Sequence, residues 1–238
     1  GATNTTVEAF TLNIKAGGDI IVYESDDVVI DQILSTSYGA VTVQAGGATT
    51  LNSAIDAQSK NVVLRTTSGQ LSINAAVSSG GGTITLDAAA GLILSAMGDV
   101  SSAGGVLTLD AGTGALSMAV DTLVDAGAGQ LSLDAAGRVT LGQIRSSYTG
   151  QLTINGGGVE AQADGIADIL APNANLKITS SGGIGSVGNP LEIQVKNMDI
   201  WNTDHGTSAI VIEQFGSLDV SQIRQQASGN LDIRTISG

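Results

Sequence analysis

The sequence predicts an all-β fold: a right-handed parallel β-helix (β-solenoid) of about nine coils that average about 22 residues each. Three observations predict it. Short apolar segments alternate with period two, similar segments recur at a nearly constant spacing, and the 238 residues include 33 Gly but only 3% aromatic side chains. A narrow tube of stacked aliphatic side chains with glycine at its corners accounts for all three.

The stretch Gly82–Val100, GTITLDAAAGLILSAMGDV, is the clearest single coil. Its first strand pattern points Ile84 and Leu86 inward, and its second pattern does the same with Leu92 and Leu94. The last residue of the stretch is a third apolar position. Three short strands separated by turns, in a little over twenty residues, are typical of one β-helix coil.

One inward residue in each coil serves as a marker for the repeat. The predicted markers are Ile14, Val43, Leu64, Leu86, Leu109, Leu133, Ile154, Ile178, Ile200 and Ile233. Between Val43 and Ile200 the residue numbers of successive markers differ by 21 to 24, whereas the first and last intervals are 29 and 33. The segments TITLDA, VLTLDA, QLSLDA and QLTING around four of the markers are alike. The repeat is therefore visible in both spacing and sequence.

A longer repeat overlies the short one, with an offset of 190 in residue number. The aligned pairs are Ile20/Ile210, Val22/Ile212, Val28/Leu218, Ile30/Val220, Gln32/Gln222, Ile33/Ile223, Gly39/Gly229, Val41/Leu231 and Val43/Ile233. Counted between Val43 and Ile233, one long repeat holds eight coils. Residues 1–238 are therefore predicted to form one continuous segment of about one and a quarter long repeats. The strand pattern includes no capping element, so further coils are expected at both ends.

Composition and charge exclude several classes of function. The net charge of −13 argues against nucleic-acid binding, because phosphate groups are neutralised by clustered Lys and Arg. The absence of Cys excludes disulfides and thiolate metal sites. No apolar run is long enough to insert into a membrane. The chain starts at Gly1 without the pattern of a signal peptide, and we interpret it as a segment of a longer protein.

Residues 156–175, GGGVEAQADGIADILAPNAN, depart from the coil pattern. The part from Asp164 to Leu170 has the pattern of either a strand or one helical turn before Pro172. We expect a longer loop that projects from its coil, since insertions in solenoids usually map to loops. The alternative is a binding protrusion on a rigid scaffold.

An outward row follows the markers and contains Gln44, Arg65, Asp87, Asp110, Asp134, Asn155 and Thr179. Asp87, Asp110 and Asp134 are expected on successive coils, about 5 Å apart. We interpret them as Asx turns, in which the carboxylate accepts a hydrogen bond from the next turn. The alternative is a calcium site, which is the one metal or cofactor that these residues favour, although the sequence lacks the Ca²⁺-binding repeats G-G-x-G-x-D and the EF-hand loop.

The loop Trp201–Ala209, WNTDHGTSA, is four residues longer than its counterpart Lys15–Asp19. It holds the only Trp and the only His of the chain. Asp204 beside His205 has the composition of an acid–base pair, but no nucleophile or oxyanion donor accompanies it. We interpret the loop as structural, and the alternative is ligand contact through Trp201.

The segments GTITLDAAAGLILSA, GVLTLDAGTGALSMA and GQLSLDAAGRVTLG share a G-x-[IL]-x-L-D-A pattern. This pattern resembles the repeats of filamentous haemagglutinin-like adhesins, which are giant surface and secreted proteins of bacteria. The run GGIGSVGNPLEIQVKNMDI also looks like an element of such proteins. The resemblance covers nearly the whole chain and implies an extracellular or cell-surface location. Its implied partners are neighbouring coils, identical chains in a fibre, and glycans bound through other domains.

Two classes of function therefore compete. The first is a structural or adhesive shaft of an extracellular filament, without catalysis in this segment. The second is a carbohydrate-binding or carbohydrate-active β-helix protein, which needs clustered carboxylates, basic residues and aromatic platforms. One Trp and three Tyr are few for such a groove, so the sequence favours the shaft. Outward rows of Ser, Thr, Asn and Gln would indicate a shaft, whereas clustered Asp, Glu, Arg and Tyr on one face would indicate an enzyme.

Overall fold

The structure is a computed structural model that describes residues 10–35, 39–162 and 165–236. Within these residues it contains 25 strands and no helix. The strands are β1 (Phe10–Ala16), β2 (Ile20–Glu24), β3 (Val28–Ser35), β4 (Val41–Ala45), β5 (Thr49–Leu51), β6 (Ile55–Asp56), β7 (Val62–Thr66), β8 (Leu71–Ile73), β9 (Val77–Ser78), β10 (Ile84–Asp87), β11 (Leu92–Leu94), β12 (Val100–Ser101), β13 (Leu107–Asp110), β14 (Leu116–Met118), β15 (Leu123–Asp125), β16 (Leu131–Asp134), β17 (Val139–Leu141), β18 (Gln143–Arg145), β19 (Gln151–Gly156), β20 (Val159–Ala161), β21 (Ile169–Ser180), β22 (Leu191–Asn202), β23 (Ile210–Phe215), β24 (Asp219–Gln225) and β25 (Leu231–Ile236).

The strands form a parallel β-solenoid with three faces in its middle coils. The first face contains β2, β4, β7, β10, β13, β16, β19, the second halves of β21 and β22, and β24. The second face contains β1, β3, β5, β8, β11, β14, β17 and β20. The third face contains β6, β9, β12, β15, β18 and the first halves of β21 and β22. The predicted fold class is confirmed.

One inward column on the first face counts the coils of the described chain. It contains Val22, Val43, Leu64, Leu86, Leu109, Leu133, Ile154, Ile178, Ile200 and Ile223. These ten positions define ten coils, one more than the expected nine. The residue numbers of neighbours in the column differ by 21 to 24 throughout.

Two of the predicted markers are therefore wrong. Ile14 pairs with Ile33, and Ile233 pairs with Ile212, so neither residue lies on the first face. The first and last intervals are long because Ile14 and Ile233 lie on different faces from the other markers. Alternation with period two shows which side of a strand is buried, but it does not show which face of a solenoid the strand belongs to.

The core is a continuous stack of aliphatic side chains. In the middle coils Leu64, Leu86, Leu109 and Leu133 have no exposed surface. Fully burying each such side chain stabilises the fold by about 1.5–3 kcal/mol. The corners are closed by buried hydroxyls, and the Ser79 Oγ, for example, donates a hydrogen bond to the carbonyl oxygen of Gly82. The interior therefore leaves little room for larger or polar side chains.

Within residues 156–175, the described parts 156–162 and 165–175 continue the coil, and there the chain differs from the expected projecting loop. Strand β20 continues the second face, and the first residues of β21 continue the third. Strand β21 runs through Pro172 because the proline lies, exposed, at an irregularity in the pairing between Ala171 and Asn175. Residues 163 and 164 lie outside the described residues, and the prediction of a strand or a helical turn that begins at Asp164 falls there in part.

The long repeat is also present in the strand pairing. Strands β2 and β4 pair in the same register as β23 and β25, with Val22 opposite Val43 and Ile212 opposite Ile233. Strands β1 and β3 and strands β22 and β24 share an irregularity at equivalent positions, where the partner strand skips Asp31 or Ser221. The duplication is therefore one of structure as well as sequence.

The prediction of eight coils in each long repeat needs correction. Eight coils lead from Val22 to Ile200 along the first-face column, but the counterpart of Val22 in the long repeat is Ile212. Ile212 lies about half a coil beyond Ile200 along the chain. Accordingly β2 lies on the first face, whereas its counterpart β23 pairs with the beginning of β22 on the third.

Candidate functional site

The predicted outward row exists on the first face. Asp87 lies opposite Asp110, and Asp110 lies opposite Asp134, in the register of β10, β13 and β16. Arg65 and Asn155 occupy the next positions on either side of the three aspartates. Parallel strands place such neighbours about 4.8 Å apart, so the three carboxylates are stacked without an intervening coil.

Each of these carboxylates has its own partner. Asp87 forms an ion pair with Arg65, with 3.1 Å between the Arg65 Nε and the Asp87 Oδ2. Asp110 accepts a hydrogen bond of 2.8 Å from the backbone N–H of Gly112, which confirms the predicted Asx turn at this position. Asp134 accepts a hydrogen bond of 2.9 Å from the side-chain amide of Asn155. The stacked negative charges are therefore stabilised separately by the protein itself.

The row does not have the arrangement of a metal centre. Across residues 10–35, 39–162 and 165–236, no group of three or more His, Asp or Glu side chains is placed to hold a metal ion together. Asp110 uses one oxygen for its own turn, and Asp87 and Asp134 use theirs across neighbouring coils. What the arrangement provides is an acidic stripe along one face.

The second predicted site surrounds Trp201 at the end of β22. Trp201 is 37% exposed and lies between Thr179 and Arg224 in the first-face register. The Arg224 guanidinium carbon is 5.7 Å from the centroid of the Trp201 ring, a cation–π distance. The Trp201 ring therefore contacts the Arg224 side chain of the neighbouring coil.

Asp204 organises the loop that follows Trp201. A hydrogen bond from the Ser208 hydroxyl, followed by bonds from the backbone of Gly206, Ser208 and His205, holds the pKa of the Asp204 carboxyl below its ordinary value of 3.8, and burial opposes this only in part. The buried Asn202 supports the same loop, since its Oδ1 accepts a bond from the Asp204 N–H and its Nδ2 donates to the Ser208 Oγ. These bonds have the pattern of a structural loop.

Asp204 and His205 do not form the acid–base pair that their adjacency in the sequence offers. His205 is exposed, and in the described part of the chain no ion pair or side-chain hydrogen bond joins its imidazole to Asp204. The bonds to the carboxylate come instead from a hydroxyl and from backbone amides.

Sequence reasoning missed one open groove of about 390 Å³ on the third face. Asp125, Arg145 and Leu170, which are register neighbours on successive coils, line it together with Pro172. Asp125 is engaged in an Asx turn with the N–H of Gly127, at 2.7 Å. The signal in the sequence is the spacing of the third strands, which places Asp125, Arg145 and Leu170 at the same step of successive coils.

The outward rows of the middle coils are mostly small and polar. On the first face one row is Thr42, Val63, Thr85, Thr108, Ser132 and Thr153. On the second face it is Thr50, Ser72, Ile93, Ser117, Thr140 and Glu160. Among the outward rows of the first and second faces, the row with the three aspartates is the acidic exception, and neither Trp201 nor Tyr23 lies beside those aspartates.

No family model, curated protein or solved structure matches this chain. Among the residues that the structure covers, no helix is long and apolar enough to cross a membrane.

Proposed function

We propose that this chain is a shaft segment of a larger extracellular repeat protein of bacteria, of the filamentous haemagglutinin-like type, and that it acts as a spacer rather than as a catalyst. The observation that carries the proposal is the uninterrupted first-face column that runs through the described chain from Val22 to Ile223. At about 4.8 Å per coil this column spans roughly 45 Å. Such a stack separates whatever is attached to its two ends.

The duplication of the end coils supports the same function. Adding a long repeat lengthens a solenoid without requiring any new chemistry. The outward rows of Thr and Ser favour a spacer as well, because they hydrate the surface without forming a large apolar patch or a convergent polar site. The acidic stripe of Asp87, Asp110 and Asp134 adds to the net charge of −13, which favours solubility.

The carbohydrate-active alternative has less support. An enzyme of that class needs a pair of carboxylates beside a sugar-binding groove. The aspartates of the first face are engaged by Arg65, by the Gly112 N–H and by Asn155, while the exposed Trp201 lies two coils beyond Asn155 in the same row. Among the described residues, the groove next to Arg145 is lined by a single carboxylate, that of Asp125.

Immunogold electron microscopy of cells that produce the protein tests the shaft proposal. We expect an antibody against residues 1–238 to label fibres along their length outside the cell. An antibody against an unrelated cytoplasmic protein of the same cells is the control for leakage. Label confined to the cytoplasm, or dispersed in the medium without fibres, would contradict the proposal and make polysaccharide digestion the next assay.

A further inference from the structure

The last coil of the described chain leaves apolar side chains exposed along one sheet edge. Val220 of β24 is 48% exposed and Leu231 of β25 is 54% exposed. Both occupy inward positions, since Val220 lies opposite the buried Met198 and Leu231 opposite the buried Ile210. Their exposure arises because no coil packs on their other side within the described residues.

The same sequence is covered at the other end of the molecule. Ile30 and Val41 are the counterparts of Val220 and Leu231 at the offset of 190, and both are buried. Ile30 is covered by Leu51 of β5, and Val41 by Val62 of β7. The chain itself therefore indicates which coil fits over the exposed edge.

We propose that the edge formed by β24 and β25 binds a coil with the sequence of residues 48–66, carried by a second copy of this repeat. The bound coil carries counterparts of β5, β6 and β7 and pairs with the open backbone edge. The proposal rests on the shaft function, since joining repeats end to end is how such a shaft gains length.

The backbone geometry at the edge fits this occupant. Strands β25 and β4 have equivalent registers with the strands before them, and β24 and β3 carry the same irregularity. The corner glycines also match, because a Cβ at Gly39 would overlap the Gly18 carbonyl oxygen and one at Gly229 would overlap that of Ser208. Because the edge formed by β24 and β25 has the backbone geometry of β3 and β4, it can pair with the same coil.

Charge at the joint is compatible with the proposal. Arg234 is the counterpart of Gln44, and Gln44 lies opposite Arg65, so the joint places two arginines next to each other. Arg234 forms ion pairs with Asp232 and, at 3.6 Å, with Glu213. The charge of Arg234 is therefore compensated within its own copy. In the second copy, Arg65 keeps its ion pair with Asp87.

A lengthened chain tests the joint directly. Residues 1–236 are followed by a second copy of residues 47–238, which preserves the offset of 190. The chain has no Cys, so two can be introduced alone: Asp232→Cys and, in the added copy, Val63→Cys. These positions correspond to Thr42 and Val63, which are direct neighbours. Neighbouring parallel strands are about 4.8 Å apart, within the range that a disulfide spans.

We expect this pair to cross-link at least about tenfold more than a control pair, Asp232→Cys with Thr85→Cys in the added copy, which lies one coil further away. We also expect the lengthened chain to unfold at a higher urea concentration than the original. Equal cross-linking of the two pairs, or no cross-linking, would overturn the proposal. So would a lengthened chain that unfolds earlier, because covering an apolar edge must add stability. These failures would leave the shaft proposal standing if label still follows extracellular fibres.

Discussion

Strands β3 and β4 and strands β24 and β25 carry the same repeated sequence, but they are buried to very different extents. Ile30 and Val41 lie in the core, whereas Val220 and Leu231 are about half exposed. The registers with the preceding strands are equivalent in the two places, and the difference lies in the coil that follows. In a solenoid, burial is thus a property of a pair of neighbouring coils rather than of one coil's sequence.

The largest effect is expected in the middle of the stack. Leu109 has no exposed surface and lies between Leu86 and Leu133. Changing Leu109→Asp removes its packing and buries a carboxylate, so we expect the coil to lose about 4 kcal/mol of unfolding free energy. Hydrogen exchange should accelerate first between residues 86 and 133, because each coil contacts only its neighbours.

Leu231→Asp is the matched control at the open edge. Its side chain is already half in water, so we expect a loss below about 1 kcal/mol. Uniform acceleration of exchange in all coils of the Leu109→Asp variant would contradict nearest-neighbour stabilisation. A comparable loss in both variants would show that the edge is covered in solution.

Substitution of the duplicated glycines, Gly39 and Gly229, should also lower the unfolding free energy more at the covered coil than at the open edge. An added Cβ at Gly39 or Gly229 meets a carbonyl oxygen of the preceding coil. The next coil holds the chain two residues after Gly39, because the Val41 N–H donates a hydrogen bond to the Asn61 carbonyl oxygen, so Gly39→Ala should lower the unfolding free energy by about 3 kcal/mol. The Gly229 corner can move outward, and Gly229→Ala should cost about half as much. Urea denaturation measures both, with Gly17→Ala as the control, since a Cβ there meets nothing within 4 Å.

A truncation series isolates the contribution of the covering coil. Val41→Ala removes two buried methyl groups and should lower the unfolding free energy by about 2 kcal/mol. Leu231→Ala removes a larger side chain but should cost less than about 0.5 kcal/mol, because that chain is 54% exposed. The urea midpoints of the two variants provide the measurement. A larger loss for Leu231→Ala would reverse the comparison.

The smallest effect concerns the loop in which the two repeats differ in length. Because its folded pKa lies below 3.8, the Asp204 carboxylate contributes stability above that pH and loses it as the pH falls through the folded value. The melting temperature of Asp204→Asn should therefore lie below that of the wild type at pH 7, and the gap should narrow as the pH falls below 3.8. Asp121→Asn is the control, since that aspartate is exposed, whereas Asp204 is half-buried in its loop. A gap independent of pH would exclude the carboxylate's charge as the cause.

The middle of the fold could be predicted because each coil repeats the same short strand patterns. Leu64, Leu86, Leu109 and Leu133 were placed correctly by spacing alone, and their registers agree. The ends could not be placed in this way. There β3 and β22 each run continuously where the middle coils have separate strands, so the turn residues that separate faces are missing. Ile14 is assigned to the wrong face for this reason, because β1 pairs along the continuous β3. Ile233 is assigned to the wrong face because the long repeat does not hold a whole number of coils, so β2 and its counterpart β23 lie on different faces.

The candidate sites were predictable in composition but not in bonding. Register placed Asp87, Asp110 and Asp134 in one row, because all three occupy the same step of the repeat. Which partner each would use depends on neighbours one coil away, such as Arg65 and Asn155, and on the turn at Gly112. The contact between Arg224 and Trp201 likewise joins side chains of two consecutive coils.

The hydrogen bonds between coils run along the axis of the stack, as in the pairing of Val41 with Val62 across β4 and β7. A pull on the two ends is therefore carried by the few bonds of every coil boundary, and the weakest boundary breaks first. A released coil of about 22 residues extends to roughly 75 Å, whereas it occupies about 4.8 Å when folded. Under tension we expect such a segment to lengthen in discrete steps and to absorb work at each one, a property that the proposed spacer would gain from its coiled architecture.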